Sequence, residues 1–437
     1  MAVAWSQVYE GPSVLSRGGN GSFRPYGERV GRNTSIRMYL DTSGVYDTGI
    51  LPYELDSNGN LVNPGGLYGV EAGVGVFGKK TTRFASFGVD YRGTYRHYPR
   101  ANNNALFKNN FNGSDHFLGI DGKKRQGRQI YYEGHLTGGT SNRVFSFGSF
   151  LLGNSFSNTL PVNEIFDMRI YSLTGGASMT YQATSRVSFN VGGDALWVRR
   201  ASSALTGVNG FMPHASVGYQ INRHTTIGAV YQFQHFDYAK AFGESDVQMG
   251  TFVVSHQFSK WASLEVGSGV FRADSAGTRT VAADPIIQKL LGLQTVVESF
   301  SRVTNRVTTS ALFTAAGKKA RLAGGYTRMP SAGNGLTLLA MTDTASANLS
   351  YTADRKLSFG VTGAYTRTNS ISNDFNGAFI TKFVGATTNY TIGRRFGLNG
   401  SVMYRNLDVP LGTTLRNSYR VSMGLTWTPS EYVVPVF

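Results

Sequence analysis

The 437-residue sequence predicts an all-β fold, a transmembrane antiparallel up-and-down β-barrel of about eighteen strands, with sixteen as the alternative count. Three observations support this prediction. Apolar and polar residues alternate with period two on both sides of tight turns, and this hairpin unit recurs at a nearly constant spacing. Short turns also alternate with long polar loops along the chain, as they do in up-and-down barrels.

The hairpin unit is clearest after residue 165. Apolar residues alternate over 171–181 and over 187–197, and the polar segment 182–186 joins the two runs. Equivalent turns lie at 221–224, 259–261, 316–319, 353–356 and 392–395. Propeller blades recur at a similar spacing but contain four strands each, whereas each unit here supplies two strands of about 10 to 15 residues. That length suits a tilted strand that crosses a membrane, so the sequence favours a barrel.

The first part of the chain is less regular but still predicts five strands. We expect them near residues 34–47, 67–78, 82–96, 113–123 and 127–140, with basic turns at 78–81 and 123–127. Long polar segments are expected to be extracellular loops at 48–66, 97–112, 141–167 and 276–298. The short turns and both chain ends would then lie on the periplasmic side.

The chain divides into three predicted segments. A glycine-rich, basic leader at 1–33 would lie in the periplasm or in the lumen, the barrel would cover 34–428, and a tail would cover 429–437. Within the insertion at 276–298, an Asp-Pro start and a closing Gly predict a short helix over 284–292. This helix would either narrow the lumen or pack among neighbouring loops.

Alternation assigns each strand an apolar face toward lipid and a polar face toward a lumen. Aromatic residues at the two ends of the apolar faces predict the girdles of a membrane barrel. The girdle residues are Tyr181, Trp197, Tyr219, Phe258, Tyr351, Tyr365, Tyr390, Tyr404 and Trp427. A dry core would not accept the opposite, polar face, whereas a water-filled lumen would.

Charged residues on the lumen face are candidates for ion selectivity. They are Arg92, Arg96, Arg302, Arg306, Arg321, Arg405, Arg420, Asp90, Asp194 and Glu265. The excess of arginine predicts a weak preference for anions, because basic rings in pores favour them. An equally strong interpretation is that these arginines pair with lumen carboxylates and stiffen the wall.

Composition and motifs exclude several other functions. The net charge is +16, but the basic residues are scattered among short turns, so a nucleic-acid-binding face is not predicted. The seven histidines lack metal-ligand spacing, no catalytic motif is found, and we expect no cofactor, no metal and no enzyme activity. The dinucleotide-type pattern at 73–78 lies inside an alternating strand and is interpreted as a coincidence.

With its strands, basic turns and girdles, the chain resembles bacterial outer-membrane porin-like barrels from about residue 34 onward. The leader segment 9–18 is similar to the entry of a group of acidobacterial outer-membrane barrels. The chain departs from the porin pattern at its end, where Pro429 interrupts the alternation after Trp427 and a tail continues to Phe437.

This resemblance implies an outer-membrane location, reached with a signal peptide that has been removed from this chain, and contact with membrane lipid and lipopolysaccharide. It implies passive diffusion of small hydrophilic solutes, with the weak anion preference above. The alternative is a structural or partner-binding barrel without an open pore. A homo-oligomer and a protein partner bound to the loops both remain open.

Overall fold

In the computed structural model, one closed sheet contains eighteen long strands within the described part of the chain. The structure describes residues 34–48, 54–55, 61–62, 65–82, 84–99, 112–141, 169–201, 205–238, 243–282, 295–333, 335, 337–354, 356–371, 377–393, 395–408, 415–429 and 432–434. The first nine strands are β1 (Thr34–Thr48), β2 (Gly66–Thr81), β3 (Ala85–His97), β4 (Gly113–Gln126), β5 (Ile130–Ser141), β6 (Ile170–Gln182), β7 (Val187–Arg200), β8 (Val208–Gln220) and β9 (Thr225–Tyr238). The other nine are β10 (Gly243–Ser259), β11 (Ala262–Ala282), β12 (Thr295–Ala316), β13 (Ala320–Ser331), β14 (Ala340–Thr352), β15 (Leu357–Ser370), β16 (Ala378–Ile392), β17 (Phe396–Asp408) and β18 (Leu415–Trp427).

The first and last strands close the barrel. Each strand pairs antiparallel with its neighbours in the chain, and β1 pairs with both β2 and β18, so that Thr42 faces Ala72 on one side and Leu425 on the other. The short strand Tyr432–Val434 then continues the pairing along the first three residues of β1. The prediction of an eighteen-strand antiparallel barrel is therefore confirmed.

Eight short connections of two to four residues lie at one end of the barrel, which we call the turn end. Their side chains cap the backbone: the Asp354 carboxylate accepts hydrogen bonds from the amides of Lys356 and Leu357 at 2.6 and 2.8 Å. These two bonds hold the pKa of Asp354 below its ordinary value. Gly127 and Gly393 adopt φ of +66° and +64°, a conformation that glycine reaches without strain.

Nine connections of four or more residues, most of them longer than the turns, lie at the opposite end, which we call the loop end. One predicted loop is wrong there, because β11 continues to Ala282 and β12 begins at Thr295, and these two residues pair. The chain keeps its ladder of hydrogen bonds well beyond the other strands, so 276–282 and 295–298 belong to a long hairpin, and 283–294 lie outside the described residues. The predicted helix over 284–292 and the leader 1–33 lie outside the described residues.

The five early strands begin and end within three residues of the predicted positions. The predicted turns at 78–81 and 123–127 are displaced, because the chain turns at 82–84 and 127–129 instead. Lys79 and Lys80 still pair with Gly88 and Phe87, so the basic residues end the strand and do not form the turn. The glycine pattern at 73–78 lies within β2, as expected.

Candidate functional site: the barrel interior

The outward face of the barrel is apolar and exposed. Val191, Val270 and Met423 expose 57%, 65% and 69% of their surface, and similar side chains recur on alternate residues of every neighbouring strand. A soluble protein rarely exposes a continuous apolar band of this size, whereas lipid requires one. The closed ladder also satisfies the backbone groups that lipid cannot. This is the surface of a barrel that spans a lipid bilayer.

The nine predicted girdle residues all lie on this outward face. Six lie toward the turn end, namely Tyr181, Tyr219, Phe258, Tyr351, Tyr390 and Trp427, and three lie toward the loop end, namely Trp197, Tyr365 and Tyr404. Tyr404 packs against Tyr419 with ring centroids 4.9 Å apart. Their positions at two levels are those that lipid headgroups would occupy.

The residues that alternate with the outward-facing ones point into the barrel interior. Where the first and last strands meet, these interior residues include a buried cluster of charged side chains. Arg96 of β3 donates to Glu71 of β2 at 2.8 Å and to Asp115 of β4 at 3.0 Å. Arg420 of β18 donates to the same Glu71 oxygen and lies 4.0 Å from Asp47 of β1. We call these five residues the seam cluster, and it joins five consecutive strands across the closure.

The seam cluster is well shielded from solvent. The side chains of Arg96, Glu71 and Arg420 expose 6%, 16% and 10% of their surface. Asp47 is fully buried and accepts a hydrogen bond from the hydroxyl of Tyr98. Because charges in this setting need their partners, the geometry favours a structural role for the predicted lumen residues Arg96 and Arg420.

Other predicted lumen residues are paired within the wall. Arg92 and Asp90, two residues apart on β3, form an ion pair of 2.6 Å. Asp194 of β7 lies between two histidines, with oxygens 3.4 Å from His135 Nε2 of β5 and 3.8 Å from His214 Nδ1 of β8. Asp194 reaches across Gly176 of β6, where any side chain would overlap its carboxylate.

Three predicted arginines lie apart from these pairs. Arg302 and Arg306 of β12 and Arg321 of β13 make no ion pair within the described residues, and all three retain contact with solvent. Arg405 of β17 is buried next to Phe383, its neighbour in register on β16. Glu265 lies on the interior face of β11. The structure does not bring these five into one cluster.

One sector of the interior is apolar, which the sequence did not predict. Interior-facing side chains of β6 to β12, all buried except the partly buried Phe300, form a contiguous group that we call the apolar sector. Its residues are Ile170, Leu196, Val198, Val208, Met212, Phe236, Tyr238, Val247, Met249, Phe271, Ala273 and Phe300. An apolar wall of this size does not suit a lumen filled only with water, so something must cover it.

The connection between β13 and β14 covers the apolar sector. We call residues 332–339 the inward segment, of which 334 and 336 lie outside the described part. Leu338 and Leu339 belong to the same buried cluster and expose 7% and 0% of their surface. A Cβ built at the interior-facing Gly243 or Gly277 would lie 3.0 or 3.2 Å from Leu338 Cδ1, so Leu338 lies inside the barrel.

Backbone hydrogen bonds hold the inward segment at both sides of the lumen. Thr206, after β7, donates its amide to Gly335 O at 2.9 Å, and Ile371, after β15, donates to Leu339 O at 2.9 Å. Gly333 has φ of +72°, and a side chain there would overlap the backbone of Thr337. The segment therefore crosses the interior from β14 toward β7 and narrows the lumen.

Two sequence signals could have revealed this arrangement. The loop 332–339 contains Leu338-Leu339, which a solvent-exposed loop has no reason to carry. Strand β7 is apolar on both faces near its loop end, with Leu196, Trp197 and Val198 in succession. A strand buried on both sides has this pattern.

Within the described ranges, no group of three or more acidic, histidine or cysteine side chains is arranged to hold a metal ion. Among those same residues, no helix is long and apolar enough to span a membrane.

The chain matches no family model, and no curated protein matches it. Over most of its length it is similar to solved bacterial structures. OpdQ of Pseudomonas aeruginosa is 12% identical, with 91% of this chain and 97% of that chain covered and a TM-score of 0.41. A BenF-like porin from Pseudomonas fluorescens Pf-5 is 11% identical, with 90% and 99% covered and a TM-score of 0.42. OccK5 (OpdH) of Pseudomonas aeruginosa is 11% identical, with 90% and 98% covered and a TM-score of 0.43.

The seam cluster predicts a large loss of stability when its shared carboxylate is removed. Glu71→Gln leaves two buried guanidinium groups without their common partner, so the free energy of unfolding should fall by about 3 kcal/mol or more. Urea unfolding of the folded barrel in detergent measures this. Asp274→Asn is the control, since it breaks the exposed Arg272 pair of 3.3 Å and should cost less than about 1 kcal/mol. Equal effects of the two variants would contradict the structural role.

The packing of the inward segment can be tested by comparing how fast a thiol placed in it is labelled in two variants, one that disrupts the packing and one that preserves it. The chain has no cysteine, so Thr337→Cys, at a site 1% exposed, places one thiol in the segment. Adding Leu338→Asp buries an unpaired charge and should release the segment, raising the rate of maleimide modification by about ten-fold or more. Adding Leu338→Met preserves the packing and should leave the rate unchanged. Rapid modification of Thr337→Cys alone would show that the segment is not packed as described.

Proposed function

We propose that the protein is a bacterial outer-membrane channel through which small hydrophilic solutes diffuse passively. The observation that carries this proposal is the closed eighteen-strand barrel with an apolar exterior and a largely polar, charged interior. Barrels of about this strand number are wide enough to leave an aqueous channel between their side chains. The short turns and longer loops match the periplasmic and extracellular ends of such barrels.

The solute path that we infer is off-centre. The inward segment and the apolar sector occupy the side of the lumen bounded by β6 to β14. The remaining wall, from β15 through the closure to β5, carries the seam cluster and most of the paired carboxylates. A solute would therefore pass between the inward segment and this charged wall, where polar groups can replace its hydration.

The predicted lumen arginines fall into two groups with different proposed roles. Arg92, Arg96 and Arg420 are paired with carboxylates and stiffen the wall. Arg302, Arg306 and Arg321, which have no ion pair within the described residues, are the groups that we propose give a weak anion preference. Arg302 and Arg306 lie beside the apolar sector on β12 and Arg321 lies near the turn end of β13, so their charge would act on a solute from the side of the lumen opposite the paired carboxylates. Guanidinium charge in such a position attracts anions and repels cations.

A second candidate function is a structural or partner-binding barrel without an open pore. The packing of the inward segment favours it, because Leu339 is completely buried in the lumen. In that case the loop end would present the functional surface to a protein partner. Neither candidate requires a catalytic group or a cofactor.

Planar-bilayer recording tests the leading candidate. The wild-type barrel should give discrete conductance steps, and its reversal potential in a salt gradient should indicate a modest anion preference. Arg302→Ser, Arg306→Ser and Arg321→Ser together should shift that potential toward cations while the steps persist. Arg272→Gln, on the outward face, is the control and should leave the potential unchanged. Insertion without conductance would favour the second candidate, and cation selectivity of the wild-type barrel would overturn the anion proposal.

A further inference from the structure

A groove of about 390 Å³ runs along the outward face between β3 and β7. Its two walls are Tyr91 and Leu118 on one side and Leu173 and Trp197 on the other, and Gly138 of β5 forms the floor between them. Large exposed side chains bound the groove on both walls, since Leu118, Leu173 and Trp197 expose 42%, 45% and 40% of their surface.

The strand register explains the groove. Tyr91, Leu118, Gly138, Leu173 and Trp197 are consecutive partners across β3 to β7, and Gly138 is the only one without a side chain. The next row toward the loop end has the same form. There His116 and Tyr171 flank the smaller Thr140. The groove is therefore as wide as one strand and follows β5, with aromatic or leucine side chains along both of its walls.

The groove has a polar end. Arg199, the partner of Tyr171 on β7, is the penultimate residue of its strand and lies at the loop end. Its guanidinium stacks over Trp197 at 5.1 Å, with Nη1 donating to Val198 O and Nη2 to Asn209 Oδ1, each at 2.9 Å. It makes no ion pair within the described residues. On the other wall, the Tyr91 hydroxyl and His116 Nδ1 form a hydrogen bond of 3.0 Å.

We propose that this groove binds one acyl chain of a lipopolysaccharide, whose lipid phosphate is held by Arg199. A saturated chain is thin enough to lie over Gly138 and Thr140 and long enough to follow the groove. Arginine on an aromatic face at the membrane surface is suited to phosphate, because its planar fork donates two parallel hydrogen bonds. A second barrel would have only outward carboxylates such as Asp237 and Asp274 to offer Arg199, and these already accept hydrogen bonds from Asn209 and Arg272.

The choice of lipid rests on the proposed outer-membrane function, which places the loop end in the leaflet that contains lipopolysaccharide. Bound lipid there would anchor β3 to β7, the same strands whose interior faces include Asp194 and His135. The groove itself lies wholly on the exterior, so filling it leaves the lumen unchanged.

Two variants test the site in the full-length barrel. Gly138→Leu fills the floor, where a Cβ would already lie 3.0 Å from Leu173 Cδ1 of a flexible side chain. Arg199→Gln removes the charge but keeps a polar side chain of similar length. The controls are Gly363→Leu, on the outward face of β15, and Arg272→Gln. Native mass spectrometry in detergent counts the lipopolysaccharide and, separately, the phosphatidylglycerol molecules that each barrel retains.

Wild-type barrel and both controls should retain one lipopolysaccharide, and each groove variant should bind it about ten-fold more weakly. Unchanged retention by both groove variants would overturn the site. Equal retention of phosphatidylglycerol would overturn the choice of lipid, and a dimer lost in Gly138→Leu would assign the groove to a second copy. Bilayer conductance separates the lipid-site proposal from the channel proposal, because the groove variants should conduct like the wild-type barrel. A wild-type barrel that binds lipopolysaccharide but does not conduct would refute only the channel proposal.

Discussion

The structure of this molecule depends on one constraint. Each backbone amide and carbonyl needs a hydrogen-bond partner, and lipid offers none. A sheet can meet that need in lipid only by closing, so β1 must pair with β18 as well as with β2. Closure fixes the parity of every strand, because a slip of one residue would turn each apolar side chain inward. The exposed apolar face and the charged interior are both consequences of that register.

The interior contains both buried charges and a buried apolar wall, and each of these needs its own partners. Charges such as Glu71 and Arg96 are tolerable there because each is surrounded by partners on adjacent strands, and these contacts reinforce the sheet where its first and last strands meet. The apolar sector is tolerable because the inward segment covers it. Burial of Leu338 and Leu339 thereby converts a wide barrel into one with a narrowed lumen, while Arg302, Arg306 and Arg321 on β12 and β13 keep their contact with solvent.

The sequence predicted most of the barrel because its signals are local. From β6 onward, turn residues such as Asp354 and period-two alternation agree on where each strand begins and ends. The errors arose where long-range pairing decides the outcome. Lys79 and Lys80 look like turn residues but remain in the ladder, and the polar run before Ala282 looks like a loop but pairs with the chain that returns at Thr295.

The interior was less predictable for the same reason. Parity placed Arg96 and Arg420 on the lumen side, but only the closed sheet shows that both reach Glu71, which lies 349 positions before Arg420. Alternation also cannot reveal what a loop covers, so the apolar residues Met212 and Phe236 had no predicted partner. The groove over Gly138 depends on five strands in register, and no single segment of sequence contains it.

Disulfide cross-linking of the closing strands tests the account most directly, since the chain has no native cysteine. Thr42→Cys with Leu425→Cys probes the β1–β18 pair, and Thr42→Cys with Ala72→Cys probes the β1–β2 hairpin. Partnered positions in adjacent strands lie within reach of a disulfide. We predict that both pairs cross-link in the folded barrel and that the first pair fails in urea-unfolded chain. Cross-linking of 42 with 72 but not of 42 with 425 in the membrane-inserted protein would contradict a closed eighteen-strand barrel.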